Sequence, residues 1–116
     1  MRNLIKQFFG RGGQEYEKVE PIDPELAVRK AINVTGRVQG VGFRFFTQGE
    51  AIELRLTGWV KNETDGSVSM EVQGLPAAVD ELINRLQKGN GYSKVVTLDA
   101  KDLEVEKGED RFVITY

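Results

Sequence analysis

The sequence contains neither cysteine nor histidine, and these two absences exclude several classes of chemistry. Without cysteine the chain has no disulfide, no thiolate nucleophile and no thiolate metal ligand. Without histidine it has no imidazole base and no His-ligated metal, which removes Ser-His-Asp and Cys-His catalysis and most zinc enzymes. Any chemistry must therefore use arginine, lysine, carboxylates, amides, hydroxyls or backbone groups, and we expect neither a metal nor another cofactor.

The sequence also has no long apolar run and no strong net charge. No stretch of about 18 apolar residues occurs, so we expect no membrane span. The 16 basic and 18 acidic residues give a formal net charge of −2, which does not favour nucleic acid or an anionic membrane as a partner. The 116 residues are enough for one domain with its own core, and we expect a cytoplasmic monomer.

Residues 1–29 differ from the rest and are predicted to be a flexible leader to a domain at residues 30–116. The glycine-rich run at residues 10–13 cannot hold regular structure cheaply. Residues 16–25 are acidic and contain two prolines. A disordered tail is the interpretation we favour for the first residues. The alternative is a short helix that docks on a partner or a membrane through one apolar face, formed by Leu4, Ile5, Phe8 and Phe9.

Hydrophobic periodicity divides the remaining chain into five strands and two helices. The charged segment at residues 99–110 is expected to be an exposed connection. The order is strand, helix, strand, strand, helix, strand, with one extra strand before the last, which is the split βαβ, ferredoxin-like arrangement. We therefore expect an α+β sandwich with two helices on one face of an antiparallel sheet. The predicted elements are a strand ending near Thr35, a helix over 43–56, strands over 57–62 and 67–73, a helix from Pro76 to a stop at 89–91, and strands over 93–98 and 111–116.

The segment GRVQGVGFR, at residues 36–44, joins the first predicted strand to the first helix. Its three glycines let the backbone approach a ligand closely, and successive amides there can form an anion-binding concavity. The helix that follows adds a positive dipole end, and Arg44 in its first turn can bind two oxygens of one phosphate. From the glycine spacing alone, an ordinary turn with a surface arginine is the stronger interpretation. The spacing fits neither a P-loop nor a dinucleotide-binding motif.

A second segment, GWVKN at residues 58–62, ends a strand that should lie near this loop. Asn62 could begin the following turn, as asparagine often does. It could instead hold a water molecule through its side-chain amide. Taken alone, the residue favours the turn, and Trp59 is interpreted as a packing residue.

Together, the two segments resemble the two signatures of the acylphosphatases, with Gly66, Val68 and Gly74 at the expected spacing after the second. The similarity covers about residues 30–116. It implies a ferredoxin-like fold and metal-independent hydrolysis of the carboxyl–phosphate bond of a small-molecule acyl phosphate, with phosphate or sulfate as competitive ligands. By this resemblance Arg44 would bind the phosphate and Asn62 would position the attacking water. The backbone amides that would complete the cradle are those of Gln39, Gly40, Val41, Gly42, Phe43 and Arg44.

These implied roles need no general acid or base. An acyl phosphate expels a carboxylate of low pKa, and phosphoryl transfer depends mainly on positioning and charge neutralisation. The loop amides and Arg44 would neutralise charge, and Asn62 would hold the water in line with the breaking bond. Because Asn62 cannot accept a proton at neutral pH, the phosphate itself is the expected final acceptor.

Two other functions remain open at this point. A non-enzymatic anion-binding module would keep the cradle and lose turnover, although binding alone does not require Asn62. An RNA-binding domain of the same topology would place aromatic rings on its central strands, and the predicted strand at residues 67–73 has none.

Overall fold

Seven strands and two α-helices make up the computed structural model, which describes residues 6–9 and 14–116. A short 3-10 helix, Pro24–Leu26, precedes the third strand. Within those two ranges no helix is long and apolar enough to cross a membrane. The strands are β1 (Lys6–Phe9), β2 (Gln14–Glu17), β3 (Val28–Arg37), β4 (Thr57–Asn62), β5 (Val68–Gly74), β6 (Lys94–Leu103) and β7 (Phe112–Thr115), and the helices are α1 (Phe43–Glu53) and α2 (Pro76–Lys88).

The main sheet confirms the predicted ferredoxin-like arrangement. Its strand order is β6-β3-β5-β4-β7, while β1 and β2 form a separate antiparallel pair. Both β3 and β4 run antiparallel to β5, which lies between them. The β3-α1-β4 unit is therefore a split βαβ, and β3, β4 and β7 all run in the same direction.

The position of the extra strand differs from the prediction. The strand after α2, β6, pairs with β3 and completes the ferredoxin-like order, so the additional strand is the last one, β7, which lies parallel to β4. β6 also continues to Leu103, through residues predicted to be an exposed connection. Pairing with β3 supplies its hydrogen bonds, while its side chains there are exposed and mostly charged. Hydrophobic alternation therefore predicts the first part of β6, to residue 98, but not its extension to Leu103.

The helix α1 ends at Glu53 rather than at the predicted residue 56. Arg55 takes a left-handed conformation with φ 59°, and its N–H donates to Ile52 O at 3.0 Å. The Leu56 N–H donates to Ala51 O at 2.8 Å, which completes a Schellman motif. Glycine is the usual residue at the left-handed position. Because arginine stands there instead, no residue in the sequence indicates that the helix ends.

The core lies between the two helices and one face of the sheet. Met70 in β5 pairs with Ile32 in β3 and with Val60 in β4, and all three are buried. Each such side chain contributes roughly 1.5–3 kcal/mol of burial free energy. The helices cover this face with Phe43, Thr47 and Ala51 from α1 and Val79, Leu82 and Leu86 from α2.

Part of the predicted leader lies against the domain. The Val19 side chain is buried, its N–H donates to Asp110 O at 2.7 Å, and Lys18 forms an isolated antiparallel bridge with Arg111. The proposed N-terminal helix is wrong for Phe8 and Phe9, which lie in β1. Leu4 and Ile5 lie outside the described residues. The flexibility of residues 1–29 stays a prediction.

Candidate functional site

The predicted site residues lie at one edge of the main sheet, where the carboxyl ends of β3, β4 and β7 meet. Residues 38–42, here called the glycine loop, lead from β3 into the amino end of α1. Asn62 is the last residue of β4, and Thr115 is the last residue of β7. Because these three strands run in the same direction, the fold brings the glycine loop, the amino end of α1 and the end of β4 to the same edge.

The glycine loop has the backbone conformation of an anion-binding nest. Gly40 and Gly42 have φ angles of 73° and 75°, whereas the φ angle of Val41 between them is negative. Gly42 is also the N-cap of α1 and supplies no side-chain cap. Within the described part of the chain, the backbone N–H groups from Gln39 to Arg44 donate to no acceptor. The loop and the first turn of α1 therefore present unpaired donors at the positive end of a helix dipole.

Two side-chain amides hold this loop in place. The Gln39 Nε2 donates to Glu63 O and to Ser67 O, both at 2.8 Å, so the loop is tied to the β4–β5 hairpin directly beside Asn62. From the turn after α2, the Asn90 Nδ2 donates to Val41 O at 2.8 Å. No local pattern indicates either contact, because Gln39 lies 24 positions from Glu63 and Asn90 lies 49 positions from Val41.

The Arg44 guanidinium is oriented by neutral groups. Its Nη1 donates to Thr115 O at 3.3 Å, and its Cζ lies 4.8 Å from the centroid of the Tyr116 ring. Among the described residues no carboxylate lies within ion-pair distance of Arg44. Arg44 is thus directed by a carbonyl and a π face while its positive charge stays uncompensated.

Asn62 carries a buried polar atom without a partner. Its Oδ1 is buried and forms no hydrogen bond with the described residues. The following turn is closed by other groups: the Glu63 N–H donates to Ser67 O at 2.9 Å, and the Ser67 N–H donates to Asp65 Oδ1 at 2.9 Å. The Asn62 side chain takes no part in these turn bonds. Buried unsatisfied oxygens are costly and rare, so this side chain stands out among those that the structure describes.

The Asp65 carboxylate belongs to the hairpin turn beside Asn62. The hydroxyl and N–H of Ser67 donate to its Oδ1 and lower the pKa of Asp65. This carboxylate is therefore ionised at neutral pH and occupied by turn bonds. In the parts of the chain that the structure describes, no group of three or more acidic side chains could hold a metal ion.

A family model, curated relatives and a solved structure each match this chain to the acylphosphatases. The acylphosphatase family model matches residues 30–114. An acylphosphatase from Clostridium beijerinckii is 48% identical over 89 residues, which are 77% of this chain and 99% of that protein. One from Geobacillus kaustophilus is 44% identical over 88 residues, covering 76% of this chain and 94% of that protein. The crystal structure of acylphosphatase from Bacillus subtilis matches with a TM-score of 0.74 and 39% identity, covering 77% of this chain and 99% of that chain.

Proposed function

The chain belongs to the acylphosphatase family and is an acylphosphatase, and we infer that its catalytic site is the sheet edge that carries the glycine loop, Arg44 and Asn62. The observation that carries the inference is the buried, unpartnered Asn62 Oδ1 beside a loop of unpaired amide donors. A module that only bound anions would use the amides and Arg44 and would have no need of a buried amide oxygen beside them.

In this proposal the phosphoryl group binds between the glycine loop and Arg44. The N–H groups from Gln39 to Arg44 donate to its oxygens, and the Arg44 fork binds two of them from the other side. No carboxylate among the described residues competes for Arg44. The positive charge is therefore available both for the substrate and for the charge that spreads over the oxygens in the transition state.

Asn62 then positions the nucleophile. A water that donates one hydrogen to Asn62 Oδ1 satisfies this buried oxygen and is held in one orientation, with a lone pair free to attack phosphorus. The bond from water oxygen to phosphorus forms as the bond from phosphorus to the carboxylate oxygen breaks. The carboxylate leaves without protonation, and the proton of the water passes to the phosphate. These reaction steps use no general acid, no general base and no metal.

The same arrangement predicts which ligands the site accepts. A simple phosphate ester has a poorer leaving group and the site provides no acid to protonate it, so esters should be poor substrates. Inorganic phosphate and sulfate should compete with the substrate. Every group in the proposal comes from a single chain, which supports a monomer as the active form. A cytoplasmic location, and the absence of nucleic-acid and membrane partners, remain predictions.

Loss of the Asn62 amide tests the water-positioning role. For Asn62→Ala we expect kcat for benzoyl phosphate to fall about 100-fold or more, while the inhibition constant of inorganic phosphate changes less than about threefold, because Asn62 acts on water rather than on phosphate. The decay of the substrate's ultraviolet absorbance measures both constants.

The matched control is Asn84→Ala, which removes an exposed amide from α2 and should leave both constants unchanged. Full turnover by Asn62→Ala would rule out the role of Asn62. Activity that disappears in EDTA and returns with a divalent metal would rule out the metal-free mechanism.

A further inference from the structure

Asn90 lies outside both segments that resemble the family signatures, yet its side chain reaches the glycine loop. The Nδ2 donates to Val41 O at 2.8 Å. The Oδ1 of the same amide accepts the N–H groups of Tyr92 at 3.0 Å and Ser93 at 2.9 Å. One side-chain amide therefore closes its own turn with its oxygen and contacts the loop with its nitrogen.

The turn that carries Asn90 is anchored on both sides. The α2 helix ends at Lys88, and its C-cap is Gly89, whose φ is 78° and whose N–H donates to Arg85 O at 3.0 Å. A Cβ at residue 89 would come within 2.4 Å of the Ser93 Oγ, and that Oγ accepts the Asn90 N–H at 3.1 Å. On the other side β6 begins at Lys94, which pairs with Arg37 at the end of β3. The turn thus holds Asn90 in place independently of Val41, so the contact with Val41 costs little side-chain entropy.

The contact fixes the direction of one donor in the nest. The Val41 carbonyl and the Gly42 N–H belong to one trans peptide unit, so they point in opposite directions. A carbonyl held by Asn90 therefore directs the Gly42 N–H away from the α2–β6 turn. Gly42 has little intrinsic preference for its own conformation, so without Asn90 this peptide unit could rotate at small cost.

Gln39 restrains a different part of the same loop. Its side chain ties the beginning of the loop to the β4–β5 hairpin, whereas Asn90 ties the end of the loop to the α2–β6 turn. Gly40 lies between these two contacts, and Gly42 comes directly after the second. The Asn90 contact is thus the side-chain restraint nearest to the Gly42 N–H among the described residues.

We propose that Asn90 is a positioning residue that orders the glycine loop for phosphate before the substrate arrives. This inference rests on the proposed function of the loop as the phosphate site. It predicts that loss of the Asn90 nitrogen weakens phosphate binding through Gly42, without a matching loss of stability.

Asn90→Ser is the informative variant, because a serine hydroxyl can still accept the Tyr92 N–H but is too short to reach Val41. We expect the KM for benzoyl phosphate and the inhibition constant of inorganic phosphate to rise about fivefold, the size expected for one hydrogen bond. The kcat should change less than about twofold, since Arg44 and Asn62 are untouched. The NMR order parameter of the Gly42 N–H should fall, because its peptide unit moves more freely without the Asn90 contact.

Two further variants separate this role from a structural one. Asn84→Ser makes the same change at an exposed site on α2 and should alter nothing. Ser93→Ala loosens the Asn90 turn but keeps the nitrogen that contacts Val41, so its effect on phosphate binding should be smaller than that of Asn90→Ser. An unchanged inhibition constant in Asn90→Ser, or an equal effect of Ser93→Ala, would overturn the proposal.

The wild-type protein separates this proposal from the proposed function. Titration with inorganic phosphate should shift the amide resonances of the glycine loop. If it shifts none of them, the loop is not the phosphate site and the proposed function fails. If it shifts them while Asn90→Ser binds phosphate as well as the wild type, only the role of Asn90 fails.

Discussion

Two arginines, one near the start of β3 and one beyond its end in α1, show how their surroundings decide what an arginine does. Arg29, near the start of β3, has a side chain that is only 1% exposed. Its Nε donates to Glu71 Oε1 at 3.0 Å, and its Nη1 donates to Glu109 Oε1 at 2.8 Å. Gln73 accepts a further bond at 3.1 Å, and Glu106 lies 3.6 Å from Nη2. This guanidinium is occupied on every side.

Arg44 follows the other end of β3, and no carboxylates of the described residues surround it. A carbonyl and an aromatic ring direct it, and no carboxylate of the described residues neutralises it. Burial lowers the pKa of Arg29, but its hydrogen bond to Glu109 and the neighbouring carboxylates raise the pKa by more. A compensated arginine therefore serves the fold, whereas an oriented but uncompensated arginine is available for an anion.

The largest expected effect is at Arg44. We expect Arg44→Ala to lower kcat/KM for benzoyl phosphate about 1000-fold or more, because both phosphate binding and transition-state charge stabilisation are lost. Arg44→Lys keeps the charge but loses the two-pronged geometry, so it should recover only part of the activity. Absorbance assays give kcat/KM, and thermal unfolding should show a change in Tm of no more than a few degrees.

An Arg44→Ala variant that kept wild-type activity would contradict the different roles of the two arginines, since Arg44 would then have no catalytic role. Equal activity of the alanine and lysine variants would show that positive charge at this position does not contribute to kcat/KM.

Arg29 should behave in the opposite way. We expect Arg29→Met to lower the free energy of unfolding by about 3 kcal/mol, because it leaves Glu71 and Glu109 without their cation, while kcat/KM stays within about twofold. Urea unfolding followed by Trp59 fluorescence measures the stability. The control is Arg55→Met, whose ion pair with Glu20 is exposed on both sides and should contribute less than about 1 kcal/mol. A large loss of kcat/KM in a folded Arg29→Met protein would contradict the division between the two arginines.

The smallest expected effect is at Tyr116, which directs Arg44 without compensating it. Tyr116→Ala removes the cation–π contact and should raise KM about three- to fivefold, in keeping with about 1 kcal/mol for such a contact at an exposed site. Tyr116→Phe keeps the ring and should behave like the wild type. If both variants behave like the wild type, the Thr115 carbonyl alone is enough to direct Arg44.

Most of the fold could be predicted from the sequence because its core elements alternate cleanly. The alternation of Val68, Met70 and Val72 predicts a strand with one buried face. The spacing of Leu82 and Leu86 predicts an amphipathic helix. The predictions failed where a neighbour supplied the structure. β6 reaches Leu103 because β3 pairs with it, and α1 stops early because Arg55 accepts a conformation usually left to glycine.

The candidate site divides in the same way. The glycines, Arg44 and Asn62 could be named as candidates from the sequence, because the two segments that contain them resemble the acylphosphatase signatures. The folded chain was needed to see that Thr115 and Tyr116 direct Arg44, that Gln39 ties the glycine loop to the hairpin, and that Asn90 holds Val41. These contacts join residues from 24 to 72 positions apart, and the conformation of the chain between them, not the identity of either residue, brings them together.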